Sequence, residues 1–263
     1  MTAKKGKPGK ARRPVKSPLV LLHGLGGSAA DWDEAAKLLE KHYDVHPLDL
    51  LGCGAAPKPG SGYDLVSLAR YVENEMEKRR LPRAHVVGHS LGGRVAGELA
   101  AREPSRVTKL VLVNPVGAVS YGFTDRLKWK AMSRRSILAS VPDSSLQKAS
   151  AYGFAIDSPG KRAFVERTVA SRKGPEGAAV GRAVEMSVDG VLDAPPLVKR
   201  LRGTRTPLLI LAGALDPLAP PEETQKLLSA RPDATFTVLS GLGHYPMLED
   251  PKRLVEALRA FLG

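Results

Sequence analysis

Cys53 is the only cysteine in the chain, so an internal disulfide is impossible and stability must come from packing. That usage fits a reducing compartment, and a cytoplasmic location is the expectation. No apolar stretch approaches the roughly 18 residues that a membrane span needs, and the basic N-terminus lacks the apolar segment of a secretory signal. Tandem repeats, metal-ligand clusters, a dinucleotide fingerprint and a P-loop are all missing, so no cofactor is expected. Acidic residues are absent from the first seventeen positions, where Lys4, Lys5, Lys7, Lys10, Arg12, Arg13 and Lys16 contribute +7. Residues 1–17 therefore read as a disordered, solvated basic tail, with a tether for nucleic acid or an acidic partner as the alternative. Nothing else in the chain resembles a nucleic-acid module, and no specific nucleic-acid partner is expected.

What is present is enough apolar material, 43% of 263 residues, to bury a sizeable core in one domain with an insertion. Short apolar runs recur: "PLVLLHG" (18–24), "YDVHPLDL" (43–50), "AHVVGHS" (84–90), "KLVLVNP" (109–115), "TPLLILAG" (206–213) and "ATFTVLSG" (234–241). Several are continuous in Leu, Val and Ile, as strands covered on both faces of a parallel sheet must be. Helix-length patterns separate most of them. "DLVSLARYVENEMEKRR" lines Leu65, Leu68, Ala69, Val72 and Met76 along one face, and "DPKRLVEALRAFLG" opens with Asp250 as N-cap and Pro251 in the first turn. Strand and helix in alternation predict an α/β doubly wound sheet of about six mostly parallel strands. Residues 116–203 break the rhythm: they contain no convincing strand and several helical stretches. The overlapping positions 119–205 carry sixteen Lys/Arg against eight Asp/Glu, which leaves the rest of the folded chain close to neutral.

The stretch "GHSLG" (88–92) matches G-x-S-x-G, and here a strand precedes it and a helix follows it, as a nucleophile elbow requires. Side chains at Gly88 and Gly92 would strike the neighbouring strand or helix, and Ser90 would be held in a strained backbone conformation. Taken alone, the pentapeptide also describes a glycine-rich turn with an incidental serine. A serine hydroxyl needs a base, and His244 in "SGLGHYPMLEDP" is the candidate because it follows the last strand. Asp216 in "LAGALDPLAP" follows the preceding strand and is the candidate orienting carboxylate, although Asp-Pro is also a common turn signal. The oxyanion would need backbone donors, for which Leu91 at the helix start and Leu25 in "HGLGGS" are the candidates. His23 reads as a hydrogen-bonding scaffold, and His89 as pointing away from the hydroxyl.

With these motifs in this order, the chain resembles the α/β-hydrolase fold superfamily, in particular its lid-bearing serine esterase and lipase-like members. The resemblance runs from Pro18 to Gly263 through "LLHGLGGS", "DLLGCGAAPKP", "GHSLGGRVA", "LAGALDPLAP" and "GHYPMLEDP". It implies a core of residues 18–115 and 204–263 with 116–203 as a helical cap. Relatives often begin with a two-stranded hairpin before the first of these motifs, and that hairpin is expected to be missing here. Cys53 stands where relatives often carry a larger residue, and it reads as a small buried thiol. A serine rather than an aspartate nucleophile favours acyl transfer, so hydrolysis of a small carboxylic ester through an acyl-enzyme is the expectation. The alternatives are a thioesterase or acyl-carrier ester hydrolase with an anionic substrate, or a non-enzymatic ligand receptor on the same fold. Arg126, Lys128, Lys130, Arg134 and Arg135 motivate an anionic acyl carrier as partner; a solvated cationic face is the competing reading.

Overall fold

The computed structural model describes residues 16–173 and 176–263. The tail expected over residues 1–17 lies outside them apart from Lys16 and Ser17. Six strands form one parallel sheet: β1 (Pro18–Leu22), β2 (Asp44–Leu48), β3 (Ala84–His89), β4 (Val107–Val113), β5 (Leu208–Gly213) and β6 (Thr235–Leu239), in the order β2-β1-β3-β4-β5-β6. No strand precedes β1 among the described residues.

Around the sheet lie α1 (Asp33–Leu39), α2 (Leu65–Lys78) and α3 (Leu91–Arg102). Between β4 and β5 the described residues form helices and no strand: α4 (Phe123–Ser133), α5 (Arg135–Ser140), α6 (Asp143–Ala151), α7 (Pro159–Lys173), α8 (Gly177–Asp193) and α9 (Leu197–Leu201). The chain closes with α10 (Pro221–Gln225), α11 (Pro246–Glu249) and α12 (Pro251–Leu262), the last capped by the Asp250 carboxylate on Arg253 N. None of the described helices is long and apolar enough to cross a membrane.

The pleat divides each apolar strand between two cores. Val20, Leu22, Val86, Leu110, Leu112 and Ile210 pack under α2, α3 and α9, whereas Leu19, Leu21, Val87, Val111, Val113 and Leu211 pack under α1 and α12. Continuous apolar runs are thus the signature of a sheet covered on both faces. The two edges differ: β6 is mostly exposed and β2 partly buried, and Pro47 lies on this edge strand, where a missing donor is tolerated. Cys53 is buried, and burial pushes its thiol up to about 12, so it stays protonated at neutral pH.

Because every strand runs the same way, their C-terminal ends share one edge. The chain steps from β1 outward to β2 and then returns to the other side of β1 as β3. The strand order therefore reverses between β1 and β3, where open parallel sheets form a crevice.

Candidate active site

Ser90 is the single residue between β3 and α3, and its backbone sits at φ 53°, ψ −115°. Positive φ in a non-glycine residue costs roughly 1–3 kcal/mol and survives only where the surroundings enforce it. Here they do. A Cβ at Gly88 would run into the Gly92 and Gly93 backbone, and one at Gly92 into the carbonyls of Leu22 and His23. Ser90 N also donates to Val113 O at 2.9 Å, tying the turn to the end of β4. Leu91 opens α3, so its N–H belongs to the first helical turn and has no intrahelical acceptor.

Leu25 lies across the β1/β3 crevice, in a turn closed by Gly27 N donating to Gly24 O at 3.2 Å. This loop touches the elbow: a Cβ on Gly24 would stand 2.8 Å from His89 Nδ1 and 3.2 Å from Ser90 Cβ. His23 anchors the loop. It accepts from Leu50 N at Nε2 (2.9 Å), so its proton resides on Nδ1, which donates to Gly24 O at 2.7 Å. Burial lowers its pKa and keeps it neutral, outweighing the opposing pull of Asp31.

Asp216 and His244, from the loops after β5 and β6, are joined by a 2.7 Å hydrogen bond between Asp216 Oδ2 and His244 Nδ1, and both side chains are almost completely buried. The other carboxylate oxygen of Asp216 accepts from Leu218 N at 2.7 Å and Ala219 N at 3.0 Å. Three donors thus fix the carboxylate. Nδ1 of His244 is committed as a donor, which leaves Nε2 as the basic atom. No hydrogen bond joins Ser90 to His244 among the described residues; His89, the residue before Ser90, packs against His244. Its ring packs 4.7 Å from that of His244, and its Nε2 donates to His244 O at 2.7 Å. Burial and then the adjacent His244 hold the His89 pKa well below its ordinary value.

Two buried side chains absent from the sequence-level reading organise this edge. Asn114, at φ 46° just after β4, accepts from Gly213 N at 2.7 Å and donates to Gly243 O and His244 O at 3.0 and 2.9 Å. Glu249 accepts from Gly243 N (2.9 Å), Tyr245 N (3.1 Å) and Ala155 N (3.2 Å), which gathers the loop around His244. The only sequence signals were an amide directly after a strand and an acid in a short helix, neither of them specific. Among the described residues no group of three or more His, Cys, Asp or Glu side chains is arranged to hold a metal ion.

The helical insertion lies over one side of this edge, leaving a cavity of about 450 Å³ between the Gly26–Ser28 turn and helices α7 and α8. Its basic cluster is partly paired from within. Arg126 pairs with Asp193 at 2.8 Å and Lys130 with Asp189 at 3.5 Å, while Arg134 and Arg135 reach Glu185 at 3.6 and 3.7 Å. The cations of α4 and α5 thus form an ion-pair ladder along α8, and Lys128 remains exposed beside it.

Comparison with known proteins gives the same fold. A family model described as "Alpha/beta hydrolase family" matches residues 19–257. The chain is 31% identical over 255 residues to a pimeloyl-[acyl-carrier protein] methyl ester esterase from Aeromonas salmonicida, covering 93% of this chain and 95% of that protein. Among solved structures, a hydrolase from Pseudomonas aeruginosa PA01 superposes with a TM-score of 0.80 at 24% identity, covering 94% and 90% of the two chains. A thermophilic esterase from Thermogutta terrifontis also superposes with a TM-score of 0.80, at 20% identity and the same coverage.

Proposed function

Since this chain belongs to the alpha/beta hydrolase family, we propose that it is a serine hydrolase that cleaves a carboxylic ester by way of an acyl-enzyme. The observation that carries this reading is the buried 2.7 Å bond between Asp216 and His244, set beside a serine held at positive φ. In the proposed cycle His244 Nε2 takes the Ser90 proton as Oγ attacks the ester carbonyl. The N–H groups of Leu25 and Leu91 receive the oxyanion. Collapse breaks the carbon–oxygen bond, and the alkoxide leaves with the proton from His244. Water then repeats the sequence on the acyl-serine, releasing the acid and regenerating Ser90. Asp216 orients the imidazole and stabilises its cation. In this reading residues 18–115 and 204–263 form the catalytic core and 116–203 the cap over the substrate.

A second reading, an acyl group presented on an acidic carrier or as a thioester, is favoured by one observation: the relative at 31% identity is named for a methyl ester on an acyl carrier protein. The internal pairing of Arg126, Lys130, Arg134 and Arg135 counts against a large free cationic surface for such a carrier. The deciding experiment is turnover of p-nitrophenyl esters from acetate to palmitate by the parent protein and Ser90→Ala. The proposal expects the parent to turn over and Ser90→Ala to lose about a thousandfold or more in kcat, the scale seen when a triad member is removed. Activity confined to carrier-bound or thioester substrates would favour the second reading, and equal rates for parent and variant would refute both.

A further inference from the structure

The insertion between β4 and β5 meets the core at both ends, with α9 packed on α3 and α7 reaching the two loops of the proposed site. At the N-terminal side of α7, the segment leading into the helix is bonded into the loop that carries His244. Gly153 O accepts from His244 N at 2.7 Å, Ala155 N donates to Glu249, and Ser158 Oγ donates to Leu248 O at 2.7 Å. Tyr245, next to His244, stacks on Phe154 with ring centroids 4.3 Å apart and lies 4.9 Å from Phe164 of α7. One turn further along, Arg167 Nη2 donates to Asp31 Oδ1 at 2.7 Å. Asp31 is only 4% exposed, and its other oxygen accepts from Ser28 N at 3.1 Å, in the loop that begins at Gly24. Phe164 and Arg167 are three residues apart and share a face of the helix, so a single rigid rod reaches both loops.

The core holds this loop from below, through His23 on Gly24 O and through Asp49, which accepts from Ala29 N at 2.7 Å. Arg167 holds it from above. A carboxylate as buried as Asp31 needs a counter-charge, and without one it must either draw in water or move outward, taking Ser28 with it.

We infer that α7 is a fixed strut across the active site, in which Arg167, acting through Asp31, positions the loop that bears the Leu25 oxyanion donor while the Gly153–Ser158 segment positions the loop that bears His244. Arg167 is thus a positioning residue, and α7 stays in place as substrate binds. The catalytic part of this inference rests on the hydrolase reading above.

The test compares the full-length parent with Arg167→Gln, Arg167→Lys and Arg162→Gln, the last removing an exposed α7 cation that pairs with Asp157. Three quantities are measured: kcat and KM for p-nitrophenyl butyrate, inhibition by a phenylboronic acid whose serine adduct carries an oxygen into the oxyanion position, and amide hydrogen exchange. Removal of a complete oxyanion donor costs about a hundredfold or more, so displacement of the loop in Arg167→Gln should lower kcat by about tenfold with KM within about twofold. Boronate affinity should weaken by a similar factor, Arg167→Lys should recover most of both, and Arg162→Gln should match the parent. Amides in residues 25–31 should exchange faster in Arg167→Gln. A rise in KM with unchanged kcat would overturn the inference by making Arg167 a substrate contact, as would parent-like kinetics and exchange. If the parent hydrolyses no ester, the carboxylic-ester reading fails on its own; exchange at 25–31 then decides whether Arg167 holds the loop, and parent-like protection in Arg167→Gln refutes it.

Discussion

Asn114 and His244 are 130 residues apart in sequence, yet the amide nitrogen of one donates to the backbone carbonyl of the other at 2.9 Å. With its bonds to Gly213 and Gly243, Asn114 joins the C-terminal ends of β4 and β5 to the loop after β6. His89 donates to the same His244 carbonyl at 2.7 Å. The backbone of the proposed base is therefore pinned by side chains from two neighbouring strand ends.

Asn114→Ala should remove three buried hydrogen bonds and replace a residue that tolerates φ 46° with one that does not. Buried partners left unsatisfied cost roughly 1–3 kcal/mol each and are not fully additive, so a loss of about 2–4 kcal/mol is expected. Urea denaturation measures the stability, and kcat should fall along with it because the His244 loop loses its register. A change below about 0.5 kcal/mol would show that the bonds are dispensable.

Ser90→Gly separates stability from activity. Glycine adopts φ 53° without the steric penalty that serine bears there. The variant should be more stable by about 1 kcal/mol and catalytically dead, the pattern expected when backbone strain serves a site rather than the fold. Thermal denaturation of the parent and Ser90→Gly side by side checks this; a lower Tm in the variant would mean that the turn is not strained.

Acid should destabilise the protein through its buried histidines. Burial lowers the pKa of His23, of His89 and, less completely buried, of His85 from the ordinary value of 6.5. Below pH 6.5 the unfolded chain binds protons there that the folded chain refuses, so stability falls as the pH drops through that value and is fully present above it. Urea midpoints between pH 7.5 and 5.5 should therefore decline. His89→Gln should flatten that slope, and an unchanged slope would assign the acid sensitivity elsewhere.

Much of this protein was legible as local pattern. Unbroken Leu/Val/Ile runs report strands buried on both faces, and Val20 and Leu21 do pack into opposite cores. The Asp250-Pro251 start of α12 and the glycines around Ser90 act within a few residues, so local sequence suffices to read them. The parallel order then brings the ends after β1, β3, β5 and β6 to one edge, where Leu25, Ser90, Asp216 and His244 were expected. Tertiary structure alone decided what holds them there. Asn114, Glu249 and the Arg167–Asp31 pair are ordinary residues in sequence, and their roles come from contacts between segments whose approach depends on how the sheet twists and the insertion packs. Charge shows the same division. The excess of cations in residues 119–205 is a property of the sequence, whereas the pairing of Arg126 and Lys130 with Asp193 and Asp189 of α8 required two helices to lie side by side, because an ion pair is a fact of distance and composition carries none.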